Sequence, residues 1–263
     1  MERNRTVTQC LKTAMLFLAA LALWWTQAWS GNVLTQISTI DALLAGAYDG
    51  QTTIGELKTF GDLGIGTFHA LDGEMIALNG KVFQARADGQ IVEVPDSLTT
   101  PFAVMVFFEA EKTLPLPSGI NLEGLTLMID PLLPSANLFY AFRIEGTFDM
   151  MRVRSVPGQT KPYPPLTEVV EHQYLKTLER VEGVVVGFRC PPFVRGVNVP
   201  GYHLHFIDRD ETAGGHVLEF SVAKAVLQWN EIANFRMMLP RDPLFSRMNL
   251  EKDRQEDLRK VER

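Results

Sequence analysis

The first half of the chain alternates short apolar segments with pairs of turn-forming residues. Asp72-Gly73, Asn79-Gly80 and Asp88-Gly89 each favour a tight hairpin turn, because these residues tolerate the left-handed backbone that such turns need. The segments between them are short and rich in residues that suit a pleated sheet. They predict strands at 66–71, 74–78, 81–86 and 90–94. This pattern indicates an antiparallel meander.

Strand-forming segments also dominate the rest of the chain. Further strands are predicted at 101–109, 178–188, 202–207 and 217–222, and two more within 137–156, broken near Glu145, Gly146 and Thr147. Short helices are predicted at 39–45, 53–58, 122–132 and 166–172, and a helix or an irregular segment at 223–232. The predicted fold class is therefore α+β, dominated by sheet, with short helices.

A proline-rich segment divides this pattern. Within 158–165, the run Lys161-Pro162-Tyr163-Pro164-Pro165 cannot form a central strand or a helix, because proline lacks a backbone donor and fixes φ. We predict a linker at 158–165 that joins two β sub-domains of mixed or antiparallel strands, at 31–157 and 166–263. The charged end of the chain, 248–263, is typical of a solvated helix or a frayed tail.

The first 30 residues have the three parts of a secretory signal. Arg3, Arg5 and Lys12 precede an apolar run at 14–25, and Ala28-Trp29-Ser30 supplies the small residues of a cleavage site. The apolar run is well short of the roughly 20 residues that span a bilayer as a helix, so we expect no permanent membrane anchor. We predict cleavage after Ser30 and a periplasmic or secreted protein.

Composition narrows the class of protein. With 46% hydrophobic residues, the chain has enough apolar material for the core of a globular enzyme. Its net charge of −6 argues against a role in binding the phosphates of nucleic acid. Cys190 is the single cysteine left after signal cleavage, so it cannot form an internal disulfide, and we interpret it as a buried, inert thiol.

Three histidines lie close together in the second half of the chain. His203 and His205 alternate with Tyr202, Leu204 and Phe206, so a strand would present both imidazoles on one face. A loop at 208–215 with two glycines can reverse the chain and bring His216 opposite that pair. Three protein ligands with an open position are typical of catalytic zinc. The pattern therefore predicts a Zn²⁺ site on a β-hairpin.

The residues alone leave the activity of such a zinc site open. A zinc hydrolase or hydratase would use the same three histidines to hold a metal-bound hydroxide. A periplasmic zinc-binding protein would need the three histidines and no further chemistry. Histidines in a hairpin with a purely structural role are a third alternative.

Longer motifs resemble one family, the bacterial alpha-acetolactate decarboxylases. The resemblance is carried by 61–68 (GDLGIGTF), 71–74 (LDGE), 152–157 (RVRSVP), 161–164 (KPYP), 201–206 (GYHLHF) and 214–216 (GGH). These motifs occur in the family's order and cover nearly the whole chain after the signal.

The resemblance implies a particular set of site residues. His203, His205 and His216 would hold Zn²⁺, with Glu74 and Arg154 projecting into the same pocket. A second glutamate near the C terminus also belongs to the family site, and Glu262 matches it best, with Glu256 and Glu251 as alternatives.

It also implies a reaction and a quaternary structure. The substrate would be a small 2-hydroxy-3-keto acid, 2-acetolactate, which loses carbon dioxide through a metal-stabilised enediolate to give acetoin. Glu74, Glu262 or a water molecule would deliver the proton, and no organic cofactor would be required. The family further suggests a homodimer.

The predicted signal can be tested by its charge. Replacing Arg3, Arg5 and Lys12 with neutral residues should retain the protein in the cytoplasm, because the positive n-region is part of the export signal. Cell fractionation measures the distribution, and unchanged export would contradict the prediction.

Overall fold

The computed structural model of the chain describes residues 32–262, so the predicted signal at 1–30 lies outside the described residues. The strands are β1 Val33–Ile37, β2 Thr52–Thr53, β3 Leu63–Thr67, β4 Glu74–Leu78, β5 Lys81–Ala85, β6 Ile91–Glu93, β7 Thr99–Thr100, β8 Ala103–Val106, β9 Lys112–Leu116, β10 Phe139–Ser155, β11 Tyr174–Cys190, β12 Gly201–Asp208, β13 Gly214–Ile232 and β14 Asn234–Met238. The helices are α1 Ile40–Leu44, α2 Ile54–Leu57, α3 Leu122–Ile129, α4 Leu166–Val169, α5 Pro243–Arg247 and α6 Gln255–Val261. The prediction of a sheet-dominated α+β fold is confirmed.

Most of the strands belong to two sheets. Within residues 32–262, one sheet has seven strands in the order β14-β1-β8-β3-β4-β5-β6, and the pairing of β1 with β14 is parallel. The other has five strands in the order β10-β11-β12-β13-β9. Because β10 also pairs with β13 along most of its length, β10, β11, β12 and β13 form a closed ring of strand pairings.

The core that positions the site lies between the two sheets. Ile76 of the first sheet and Val186 and Ile207 of the second belong to one cluster of buried apolar side chains. Burying each such side chain contributes about 1.5–3 kcal/mol. Glu74 lies two residues before Ile76 on the same strand, and alternate residues share a face, so Glu74 is on the side of β4 that faces the second sheet.

Local sequence signals account for the first meander. Asn79 and Gly80 both have positive φ, of 53° and 78°, as a two-residue hairpin turn requires, and β4 and β5 pair on either side of them. The turn at Asp72-Gly73 joins β3 to β4, and β4 has the predicted bounds. The predicted strand at 66–71 is wrong in part, because β3 is Leu63–Thr67 and a 3₁₀ turn occupies His69–Leu71.

Two other predictions are corrected in the second sheet. The segment 223–232 is the continuation of strand β13, although its alanine, leucine and lysine content suits a helix. Pairing with β10, from Ile232 opposite Phe139 to Lys224 opposite Thr147, overrides that local preference. For the same reason the segment predicted as two strands is one strand, β10, with a register irregularity beside Thr147 in place of the predicted break.

The proline-rich segment at 158–165 is irregular, but each sheet draws strands from both sides of it. β10 precedes the segment and pairs with β11 and β13, whereas β14 follows it and pairs with β1. The sheets therefore do not divide the chain at this segment. No helix within residues 32–262 is long and apolar enough to cross a bilayer.

Candidate active site and metal centre

The β12–β13 hairpin brings the three predicted histidines together. His203 and His205 lie on β12, and His216 on β13 is the register partner of His205. The three ring centroids are 5.0 to 5.4 Å apart, and all three residues are at most 8% exposed. The hairpin thus places three imidazoles around one point.

The turn of this hairpin is closed by Asp208 and not by the two glycines. The Asp208 carboxylate accepts hydrogen bonds from the backbone N–H groups of Thr212 at 2.6 Å and Ala213 at 2.9 Å. Gly215 instead lies in β13, where a Cβ atom would stand 2.3 Å from the carbonyl oxygen of Arg154. Its lack of a side chain lets β10 approach the histidine hairpin.

The imidazole nitrogens fit a metal ion. The potential ligand atoms of the three residues all lie within 4.8 Å of one another. His205 Nδ1 is 2.7 Å from the carbonyl oxygen of Met75, and because a carbonyl only accepts, Nδ1 carries the hydrogen and Nε2 presents its lone pair. His203 Nδ1, His205 Nε2 and His216 Nδ1 are buried with no hydrogen-bond partner among residues 32–262. A bound cation would satisfy such nitrogens.

Burial also sets the protonation state of these rings. Burial, together with the charge of Arg154, lowers the pKa of His203 to about 3. The pKa values of His205 and His216 also fall well below 6.5, chiefly through burial. All three imidazoles are therefore neutral at neutral pH, which is the form that binds metals.

Glu74, Arg154 and Glu262 surround the histidines. Arg154 Nη1 is 3.5 Å from Glu74 Oε1, and Glu74 Oε2 is 3.8 Å from His205 Nε2. Glu262 Oε2 is 3.8 Å from His216 Nε2. The structure therefore brings these three residues from distant parts of the chain to the histidine cluster.

The surroundings of Glu74 and Glu262 raise the pKa of both carboxyl groups. Burial and, to a smaller extent, the nearby Glu262 raise the pKa of Glu74 to about 7, against the opposing effect of Arg154. Burial likewise raises the pKa of Glu262 to about 7, again opposed by Arg154. Perturbed carboxyl groups of this kind are typical of sites that transfer protons.

Glu262 lies beside the histidines because the C-terminal helix that precedes it packs on the core. α6 ends at Val261, which is 2% exposed and belongs to the core between the sheets. Of the two expectations for this tail, the helix is confirmed over 255–261, but its end is docked on the core at Val261 and not solvated throughout. The alternative glutamates lie elsewhere: Glu251 is exposed, and Glu256 is exposed and pairs with Arg259 at 2.8 Å.

Arg152 and Arg154 differ in solvent exposure, although residues two apart on a strand usually share a face. Arg154 is 4% exposed, whereas Arg152 is exposed. The register of β10 against β13 shifts between Arg152 and Val153. Of the two arginines, Arg154 is the one at the histidine cluster. The remaining histidines, His69 and His172, are exposed.

Most of these polar residues line a cavity together with apolar side chains, called here the apolar wall. The sequence did not predict the apolar wall. Its residues come from α1, α4, α6 and the segments around β3, β8 and β10, and they share no motif that would have marked them. The cavity is lined by Ile40, Leu43, Gly66, Thr67, Leu71, Glu74, Phe102, Arg154, Val156, Leu166, His203, His205, Val261 and Glu262.

The chain is similar to proteins of the alpha-acetolactate decarboxylase family. The family model described as alpha-acetolactate decarboxylase matches residues 34–252. The alpha-acetolactate decarboxylase of Methanosarcina mazei (strain Go1) is 47% identical over 234 residues, which cover 89% of this chain and 81% of that protein. The protein of the same name from Methylococcus capsulatus (strain Bath) is 47% identical over 227 residues, covering 86% of this chain and 87% of that one.

The fold agrees with the sequence. A crystal structure of the alpha-acetolactate decarboxylase from Bacillus subtilis strain 168 matches this chain with a TM-score of 0.86 at 36% identity. The match covers 88% of this chain and 99% of the other. The resemblance seen in the sequence motifs is confirmed. The chain belongs to the alpha-acetolactate decarboxylase family and is a carboxy-lyase.

Proposed function

We propose that this protein decarboxylates 2-acetolactate to acetoin, with a zinc ion held by His203, His205 and His216. The observation that carries the proposal is the position of the Arg154–Glu74 pair beside three buried, neutral imidazoles with unpartnered nitrogens. A site that only stored zinc would have no need of a buried arginine and two neighbouring carboxyl groups. Export to the periplasm or the medium and assembly as a homodimer are further proposals.

A zinc ion at this site would act as a Lewis acid for the hydroxyl and ketone oxygens of the substrate and stabilise the negative charge left when carbon dioxide departs. An all-nitrogen set of three histidines suits zinc among the common divalent ions.

Arg154 is the group that would bind the substrate carboxylate. Its Nε is buried without a hydrogen-bond partner among residues 32–262, so the guanidinium has donors to spare beyond its contact with Glu74. A planar guanidinium can pair with a carboxylate through two parallel hydrogen bonds. Such a pair fixes the orientation of the carbon–carbon bond that breaks.

Glu74 and Glu262 are the groups that would hold the proton. Decarboxylation of the substrate anion consumes one proton per acetoin, and a pKa of about 7 leaves a large fraction of each glutamate protonated at neutral pH. The Glu262 side chain is 19% exposed against 9% for Glu74. Glu262 is therefore the better placed of the two to take up protons from solvent.

The apolar wall would contact the methyl groups of the substrate. Leu71, Phe102 and Val156 are each at most 2% exposed, so this side of the cavity offers no hydrogen-bonding side chain to water. A weakly hydrated carboxylate leaves as carbon dioxide more readily than a fully hydrated one, because less hydration is lost when the charge moves to the rest of the substrate.

The metal site can be tested by elemental analysis. We expect about one zinc ion per chain in the purified protein, and its loss in His205→Ala, because three ligands are needed to hold it. His172→Ala, at an exposed histidine, is the matched control and should keep the metal. Retention of full metal content by His205→Ala would contradict the assignment.

The reaction can be tested by acetoin production from racemic acetolactate. A chelator should abolish turnover and added zinc should restore it, and Arg154→Ala should lower kcat/KM by about 100-fold or more, since it removes the charge that orients the substrate. Arg152→Ala, on the same strand but exposed, should behave like the wild type. Zinc binding without any acetoin would favour a zinc carrier or a hydrolase.

The C-terminal glutamate can be tested in the same assay. Glu262→Gln should lower kcat by about 100-fold, because an amide cannot transfer a proton, whereas Glu251→Gln at an exposed position should have little effect. Equal rates for these two variants would remove Glu262 from the site.

A further inference from the structure

Two hydrogen bonds join the sheets next to the Arg154–Glu74 pair. The Ser155 hydroxyl donates to the carbonyl oxygen of Ala85 at 2.5 Å. The backbone N–H of Gly73 donates to the carbonyl oxygen of Val156 at 3.1 Å. Both bonds join the last residue of β10 and the residue after it to the open end of the β4–β5 hairpin, at Ala85 in β5 and at Gly73 just before β4.

The Ser155 bond connects the strands that carry the two charged residues. Ala85 is the register partner of Glu74, and Ser155 directly follows Arg154 in the chain. The contact between Arg154 Nη1 and Glu74 Oε1, at 3.5 Å, spans the same gap between the sheets. A change in the separation of β10 and β5 therefore changes the separation of Arg154 and Glu74.

The hydroxyl of Ser155 is shielded from other hydrogen-bond partners in the solvent. The residue is 1% exposed, so its hydroxyl cannot exchange its bond to Ala85 for one to bulk water. Its neighbours in the chain, Arg154 and Val156, both line the cavity, whereas Ser155 does not. The Ser155 side chain thus contacts the backbone of β5, next to Glu74, and does not line the cavity.

We propose that Ser155 is a positioning residue, whose hydroxyl fixes the separation of Arg154 from Glu74 by holding the end of β10 against β5. The inference rests on the proposed decarboxylation, since it assigns Ser155 a part in the rate of that reaction. Rates of reactions at preorganised sites fall steeply when a group is misplaced by about 1 Å.

The test is the Ser155→Ala variant, which removes the hydroxyl without adding volume. We expect kcat for acetoin formation to fall about tenfold with KM nearly unchanged, because the substrate still binds but its groups are less well aligned. Zinc content should be unchanged, since the three histidines lie on β12 and β13 and His205 keeps its hydrogen bond to Met75.

Tyr140→Phe is the matched control. It removes a hydroxyl that donates to the carbonyl oxygen of Ser135 at 2.9 Å, near the other end of β10 and outside the site. This variant should lose thermal stability without losing kcat. Unchanged kcat in Ser155→Ala would overturn the proposal, as would a loss of kcat accompanied by zinc loss or matched by Tyr140→Phe. A wild-type enzyme that makes no acetoin would instead overturn the proposed function.

Discussion

The hydrogen bond from the His205 imidazole to the carbonyl oxygen of Met75 links the two sheets at the centre of the site. At 2.7 Å, and fully buried, it fixes which nitrogen of His205 carries the hydrogen and so directs Nε2 toward its neighbours. Met75 directly follows Glu74, so the same bond holds the Glu74 carboxylate 3.8 Å from that nitrogen. The histidine cluster and the position of the Glu74 carboxylate therefore depend on one contact between β4 and β12.

Arg154 is a buried cation that influences the pKa values of the titratable groups around the cavity. The charge of Arg154 opposes the rise that burial causes in the pKa of both glutamates and adds to the fall in the pKa of all three histidines. Its charge thus favours neutral imidazoles, which can bind a metal, and offsets the tendency of burial to neutralise the carboxyl groups. In a region of low polarity such charges act strongly on a developing negative charge, which is what loss of carbon dioxide produces.

Strained backbone lies beside the site. Ala70 and Leu71 both have positive φ, of 61° and 57°, which for residues other than glycine costs about 1–3 kcal/mol each. Hydrogen bonds from Ala70 N–H to the Tyr48 carbonyl and from Gln159 N–H to the Ala70 carbonyl hold this conformation, at 2.8 and 2.7 Å. It buries Leu71 in the cavity wall three residues before Glu74.

The resemblance to a family pointed to Glu74 and Arg154. Local chemistry by itself determined the Asp-Gly and Asn-Gly turns and the alternation that puts His203 and His205 on one face. These features depend on turn geometry and on the two-residue period of a strand, which act over a few residues. Only the tertiary structure decided that 223–232 is a strand, that Glu262 reaches the site ahead of Glu256 and Glu251, and which apolar residues form the cavity wall. Those outcomes depend on strand pairing and packing between distant segments, and no local pattern specifies them.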